Sequence, residues 1–188
     1  MRIIAGSAKG RPILAPKGDL TRPTLDRVKE SLFNILQFSV AGARVLDLYA
    51  GSGNLGLEAL SRGAAHAVFN DADRQCAQLI RQNIERLGFS QSATVLQSDA
   101  LQAISRLTGT LPFDIVFLDP PYLAGAQAAL TALFTNGLIS PNGIVTVEHD
   151  WNNPPTETAG LFRQIDRRKY GSTGISFFQH NQGKDSRP

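Results

Sequence analysis

From Arg44 onward, short apolar runs alternate with longer segments whose apolar positions recur every three to four residues. Arg44–Tyr49, Ala67–Asn70, Ala93–Gln97, Asp114–Leu118 and Ile144–Glu148 have the length and composition of buried strands. Between them, Leu55–Arg62, Asp73–Leu87, Ala100–Leu107 and residues 124–135 have the helical period. Cys76, Ile80, Ile84 and Leu87 form one apolar stripe, which Gly88 stops. Strands alternating with helices predict an α/β fold: a mostly parallel sheet with helices on both faces. Two further strands, Phe162–Arg167 and Ile175–His180, flank the glycine-containing stretch Tyr170–Gly174, so a seven-stranded sheet ending in an antiparallel hairpin is expected. The polar, proline-containing stretch Asn152–Thr158 reads as a loop or a poor helix.

Upstream, Val28, Leu32, Ile35 and Leu36 mark one face of a helix from Thr24 to near Phe38, with Pro23 at its start, where a missing N–H costs nothing. Residues 2–5 and 11–15 flank Gly6–Gly10 and predict a small N-terminal β-hairpin or looped extension. The expected organisation is an extension over residues 1–20, a main domain over 21–180 and a loose polar tail over 181–188.

Composition narrows the function classes. The chain has 188 residues, 42% hydrophobic and 19% charged, which is globular composition rather than disordered or fibrous. Its longest aliphatic or aromatic run is Ile115–Leu118, too short for a bilayer span, and Met1–Gly6 is too short for a signal-peptide core. A cytoplasmic protein is expected. The single cysteine, Cys76, excludes a disulfide framework, and His66, His149 and His180 have no metal-ligand spacing, so no metal is expected. The net charge of +3 is unevenly spread. Residues 1–30 balance at +4, residues 31–162 at −5 and residues 163–188 at +4. Basic ends around an acidic middle suit contact with a polyanion, although solvated surface charge has the same signature.

The candidate chemistry begins after the first predicted strand. Val45–Tyr49 runs into Ala50-Gly51-Ser52-Gly53-Asn54-Leu55-Gly56, ahead of a helix. Gly51, Gly53 and Gly56 match the G-x-G-x-x-G spacing of nucleotide-cofactor loops in the required context, against the alternative of a plain tight turn. Asp71 follows Gly51 by 20 residues, where an acid accepts hydrogen bonds from ribose hydroxyls. Asp47 would repel a pyrophosphate but attract the ammonium and sulfonium of S-adenosylmethionine. Asp99, beside Ala100, can accept from an adenine amino group or simply cap the following helix. Three acids ending three successive strands suit a cationic, adenosine-bearing ligand better than NAD.

The fourth strand leads into Asp119-Pro120-Pro121-Tyr122. Two prolines lock the backbone and carry no N–H, so the Pro120 carbonyl and the Asp119 carboxylate can both accept hydrogen bonds. With Tyr122 as a flat ring beside them, they form a cradle for a planar group bearing an amine; stacking a base there is worth about 1–3 kcal/mol. A proline-terminated strand with a surface tyrosine is the structural alternative.

Together, Asp47…Gly51-Ser52-Gly53 and Asp119-Pro120-Pro121-Tyr122 resemble the Rossmann-like class I S-adenosylmethionine-dependent methyltransferases of exocyclic amines. The stretch from Arg22-Pro23-Thr24 through Asp26-Arg27-Val28-Lys29-Glu30 to Leu36 resembles a more specific group, the bacterial 16S ribosomal RNA guanine-N2 methyltransferases. That resemblance extends from Arg2 to Thr173. It implies a monomer that methylates the 2-amino group of a guanine in 16S ribosomal RNA, free or within an assembled small subunit. It also implies a catalytic site at Asp119, Pro120, Pro121 and Tyr122, and cofactor binding by Asp47, Ala50, Gly51, Ser52, Gly53, Asp71, Asp99 and Ala100. Asp71 here follows Asn70, where the family usually has Val-Glu. The basic N-terminus is then expected to grip RNA through Lys9, Arg11, Lys17, Arg22 and Arg27, with an intrahelical ion pair as the alternative for Arg27. Rival readings are a DNA or other RNA amino-methyltransferase, an NAD-dependent oxidoreductase and a non-catalytic RNA-binding module.

Overall fold

A computed structural model describes residues 1–15, 23–121, 123–159 and 162–180. Helix α1 (Pro23–Ile35) precedes the alternating unit β1 (Arg44–Asp47), α2 (Asn54–Ser61), β2 (His66–Asp71), α3 (Arg74–Leu87), β3 (Ala93–Gln97), α4 (Ala100–Leu107), β4 (Phe113–Leu118), α5 (Leu123–Thr135) and β5 (Ile139–Asp150). Strands β6 (Thr158–Ala159), β7 (Phe162–Tyr170) and β8 (Thr173–His180) complete a sheet of order β3-β2-β1-β4-β5-β8-β7-β6. Strands β1 to β5 are parallel, while β8 runs antiparallel between β5 and β7. The seven expected strands are present. The eighth, β6, is a two-residue ladder on the outer edge of β7, beginning at the last residue of the stretch expected to be a loop.

Each strand feeds two cores. Val45, Phe69, Ile115 and Phe117 pack under α1, α2 and α3 through Val28, Leu32, Phe33, Leu57, Ile80 and Ile84. Leu46, Val68, Val116 and Val145 pack against α4 and α5 on the other face, through Ala103, Ile104, Leu130 and Leu133. Because side chains alternate along a strand, neighbouring residues serve opposite cores, so the strands read as unbroken apolar runs.

Helix α1 stops at Ile35 rather than near Phe38, whose ring is 93% exposed and anchors nothing. Strand β5 starts five residues before the expected Ile144. Its Pro141-Asn142-Gly143 has turn composition, and the chain bulges there: Ile139 pairs with Phe113 and Ile144 with Ile115, so the extra residues loop out of the ladder within the strand. The terminal hairpin is longer than expected, with only Gly171 and Ser172 between β7 and β8.

At the N-terminus, Arg2 bridges Pro12 antiparallel, and the N–H groups of Ile3, Gly10 and Ile13 donate to the carbonyls of Arg11, Ile3 and Met1, so the two arms form a short looped hairpin. Residues 1–15 are held also by burial of Ile3, Ala8 and Ile13 in the α1-side core. At Gly6 the backbone lies so close to the end of α2 that a Cβ would stand 1.7 Å from the Ser61 carbonyl oxygen. Expectations for Lys17, Arg22, Tyr122 and the tail at 181–188 concern positions outside the described residues.

Candidate active site

Strand β1 ends at the buried Asp47, and the chain turns through Gly51 and Gly53, both at positive φ (55° and 81°). Gly53 has no side chain with which to cap α2. Asp47 does this from a distance: its Oδ2 accepts the Gly56 N–H at 2.9 Å in the first turn. Gly56 must itself be glycine, since a Cβ there would lie 2.3 Å from Cε1 of Phe69 on β2. The loop is also tied to β2, because Asp71 Oδ2 accepts the Gly51 N–H at 2.8 Å while Oδ1 accepts the Asp73 N–H at 2.9 Å. Just before Asp71, the buried Asn70 donates to the carbonyls of Leu48 and Ser98 (both 3.1 Å) and accepts from the Ser98 hydroxyl. That amide joins the ends of β1, β2 and β3, which accounts for asparagine where the resemblance led to an aliphatic residue.

The glycine loop forms one wall of a cleft of about 250 Å³ whose lining includes Asp47, Tyr49, Ala50, Gly51, Ser52, Asp119 and Glu148. Val28, Lys29 and Leu32 of α1 close the opposite side. Asp47, Asp119 and Glu148 stand at or just beyond the ends of β1, β4 and β5, three adjacent strands. By strand alternation they share the sheet face that carries α1. Loss of water on burial pushes the Asp47 carboxyl up to about 7; the Gly56 N–H pulls it down, and the charges of Asp119 and Asp71 push it further up. Asp119 is open to the cleft yet ringed by protein, and the resulting desolvation raises its carboxyl to about 6. Glu148 rises to about 7, first through desolvation and then through the charge of Asp119. Tyr49 is raised by burial and by Asp99.

The cleft thus gathers the expected Asp47, Ala50, Gly51, Ser52 and Asp119 on one surface. Gly53 stands behind that surface as the first turn of α2 begins, while Pro120 and Pro121 carry the chain out of β4. Asp99 caps α4, its Oδ1 accepting the Leu101 N–H at 2.9 Å, and Ala100 is the first residue of that helix. Glu148 and Tyr49 are site residues that the sequence reading missed. The signal for Glu148 was present: it is an acid near the C-terminal end of a predicted apolar strand, as Asp47 is, and treating the fifth strand like the first would have found it.

Lys29, lining the cleft but 2% exposed, is turned away from the acids. Its Nζ donates to the Arg2 carbonyl (2.6 Å) and to Asn54 Oδ1 (2.8 Å), and lies 3.2 Å from Glu58. Burial lowers its pKa, against the opposing pull of Glu58.

Among the basic residues expected to meet RNA, Lys9 and Arg27 come together, with Arg2, around a surface concavity beside α1. Arg2 lies 3.5 Å from Asp26. Arg11 is placed elsewhere: its guanidinium donates to the carbonyls of Leu87 (3.2 Å) and Arg86 at the end of α3. Cations at a helix C-terminus satisfy orphan carbonyls and the dipole, so Arg11 has a structural occupation there.

A glycine loop tied to an acid at the end of β2, a cleft lined by acids and a proline-locked exit from β4 go with the fold of an S-adenosylmethionine-dependent methyltransferase. The cleft fits that cofactor: acids face it, the one cationic side chain among the described residues lining it is already paired, and a Cβ placed on Gly51 would enter open space. The chain belongs to the family described as conserved hypothetical protein 95, whose model matches residues 1–179. Ribosomal RNA small subunit methyltransferase D of Escherichia coli is 40% identical over 154 residues, 81% of this chain and 76% of its own length. YlbH of Bacillus subtilis is 40% identical over 184 residues, 95% of this chain and 98% of that one. The solved structure of Escherichia coli yhhF superposes with a TM-score of 0.85 at 33% identity, covering 97% of this chain and 99% of that chain. Among the described residues, no helix is long and apolar enough to cross a membrane.

Proposed function

We propose that this protein transfers a methyl group from S-adenosylmethionine to the 2-amino group of a guanine in small-subunit ribosomal RNA, acting as a monomer. The observation that carries the reading is the row of carboxylates ending β1, β4 and β5, with Asp119-Pro120-Pro121 in its middle. The small-subunit relatives support ribosomal RNA as the substrate class.

When bound, the cofactor supplies an electrophilic methyl group on a sulfonium. The glycine loop and Asp71 hold its adenosine end, and Asp47 complements its positive charge. A guanine amine is a weak nucleophile because its lone pair is delocalised into the ring, so orientation carries much of the rate. Asp119 and the Pro120 carbonyl accept the two N–H bonds of the amine, aiming its lone pair and stabilising positive charge as it develops on nitrogen. The cofactor bound there would supply its methyl group to the amine and leave as the neutral thioether, and the proton lost from the amine would pass by way of the Asp119 carboxylate to solvent. The base must be unstacked to reach this position, so the target is an exposed nucleotide.

Labelled cofactor offered with naked 16S RNA and with small-subunit particles, followed by nucleoside mass spectrometry, should yield N2-methylguanosine on one of the two. Asp119→Ala should keep cofactor affinity within about threefold and lower turnover by about 10²-fold or more, the cost of removing a transition-state acceptor. N6-methyladenosine on DNA instead, or calorimetric binding of NAD but not of S-adenosylmethionine, would replace this reading.

A further inference from the structure

Glu148 has no part in the reaction as described, yet it lies in the cleft. Strands β4 and β5 are parallel, with Leu118 in register with Val147, so Asp119 and Glu148 are the next neighbours across the two strands. Adjacent strands are about 4.8 Å apart, so the two carboxylates share one short stretch of the cleft. No cation or hydrogen-bond donor among the described residues pairs with Glu148; the charge it senses is that of Asp119. The sheet order places the acids in the sequence Asp47, Asp119, Glu148. Asp47 adjoins the glycine loop, and the charges it senses are Asp119 and Asp71. Glu148 therefore lies beyond the reacting centre, on the side away from the cofactor loop. A half-buried carboxylate without a partner, beside a second one, is costly unless donors arrive with the ligand.

A guanine offers such donors. Its Watson–Crick edge presents N1–H beside the 2-amino group, three N–H bonds in a row. Asp119 and Pro120 account for the two on the amine, leaving N1–H without an acceptor. We propose that Glu148 accepts the N1–H of the target guanine and thereby selects guanine over bases whose N1 is a lone pair. This rests on the guanine-N2 reading above. Adenine turns its N1 lone pair toward the Glu148 carboxylate, and so does 2-aminopurine, although 2-aminopurine keeps the 2-amino group.

The test uses 16S RNA, naked or reconstituted into particles, carrying either guanine or 2-aminopurine at the mapped target position. The wild-type protein should methylate the guanine form with kcat/KM about 10²-fold or more above the 2-aminopurine form, as expected of a site built around one buried hydrogen bond. Glu148→Gln can donate to a lone pair or accept from an N–H, and should shrink that preference to under about tenfold. Glu148→Ala should lose about 10²-fold on guanine while binding S-adenosylmethionine as the wild type does. An unchanged preference in Glu148→Gln, in protein that still binds cofactor, would overturn the role of Glu148 and leave the guanine-N2 reading intact. Wild-type protein that forms no N2-methylguanosine on either RNA would overturn the underlying reading, and this one with it.

Discussion

At the scale of single residues, the cleft is a place where negative charge is held back. Asp47, Asp119 and Glu148 all have carboxyls raised above the ordinary carboxylate range, to between about 6 and about 7. For such groups the folded state holds protons more tightly than the unfolded chain. The stability they contribute is fully present below about pH 4 and is lost as pH rises through about 7. A cation beside Asp47 reverses that penalty there. Cofactor affinity should therefore rise between pH 6 and pH 8, with protons released on binding; calorimetry in buffers of different ionisation enthalpy measures both. Flat affinity across that range would show that Asp47 does not face the sulfonium. The glycine loop has a different vulnerability. Gly56→Ala would press a methyl group into the Phe69 ring and disturb the bond to Asp47, an overpacking cost of about 1–3 kcal/mol readable by urea denaturation.

At the scale of elements, Glu58 on α2 links three pieces of chain. It is fully buried and accepts the N–H groups of Ile4 (2.8 Å) and Ala5 (3.0 Å), the Arg62 Nε–H (2.8 Å) and the ammonium of Lys29 on α1. Glu58→Gln leaves Lys29 buried without its counter-charge, and removing one member of a buried pair costs about 3–5 kcal/mol. The expected signs are a matching loss in unfolding free energy and early proteolysis within residues 1–15. This hub was not visible in the sequence. Apart from Arg62 one helical turn on, its partners Lys29, Ile4 and Ala5 lie far back in the chain, and a lone glutamate in a helix pattern looks like any solvated charge. The strands and helices from Arg44 to Leu118 were legible, because a sheet covered on both faces imposes continuous apolar runs and leaves glycines at the helix ends. Strand β5 was legible only in its second half, since Pro141-Asn142-Gly143 carries turn residues through a bulge. The cleft residue Asp119 announced itself by its prolines, whereas Glu148 had no such companion.

At the scale of the whole molecule, the basic N-terminal region divides into two roles that charge counting could not separate. Lys9 and Arg27 border an open concavity, while Arg11 is spent on the end of α3. Lys9→Ala with Arg27→Ala should weaken RNA binding and lower the salt slope by about 0.7–0.9 per charge removed. Arg11→Ala should instead lower the melting temperature and leave the slope unchanged; titrations at several salt concentrations separate the two. Equal slopes for all three variants would remove the concavity as an RNA surface.

The sheet order has one more consequence. Strands β3, β2 and β1 lie to one side of the crevice, and β4 and β5 to the other, so its two walls come from distant stretches of chain. A nascent polypeptide that has emerged only as far as α4 carries every glycine of the loop, yet just half of the vise. The cleft can close during synthesis only once β4 and β5 have cleared the exit tunnel, well after Glu148 itself has been added to the chain.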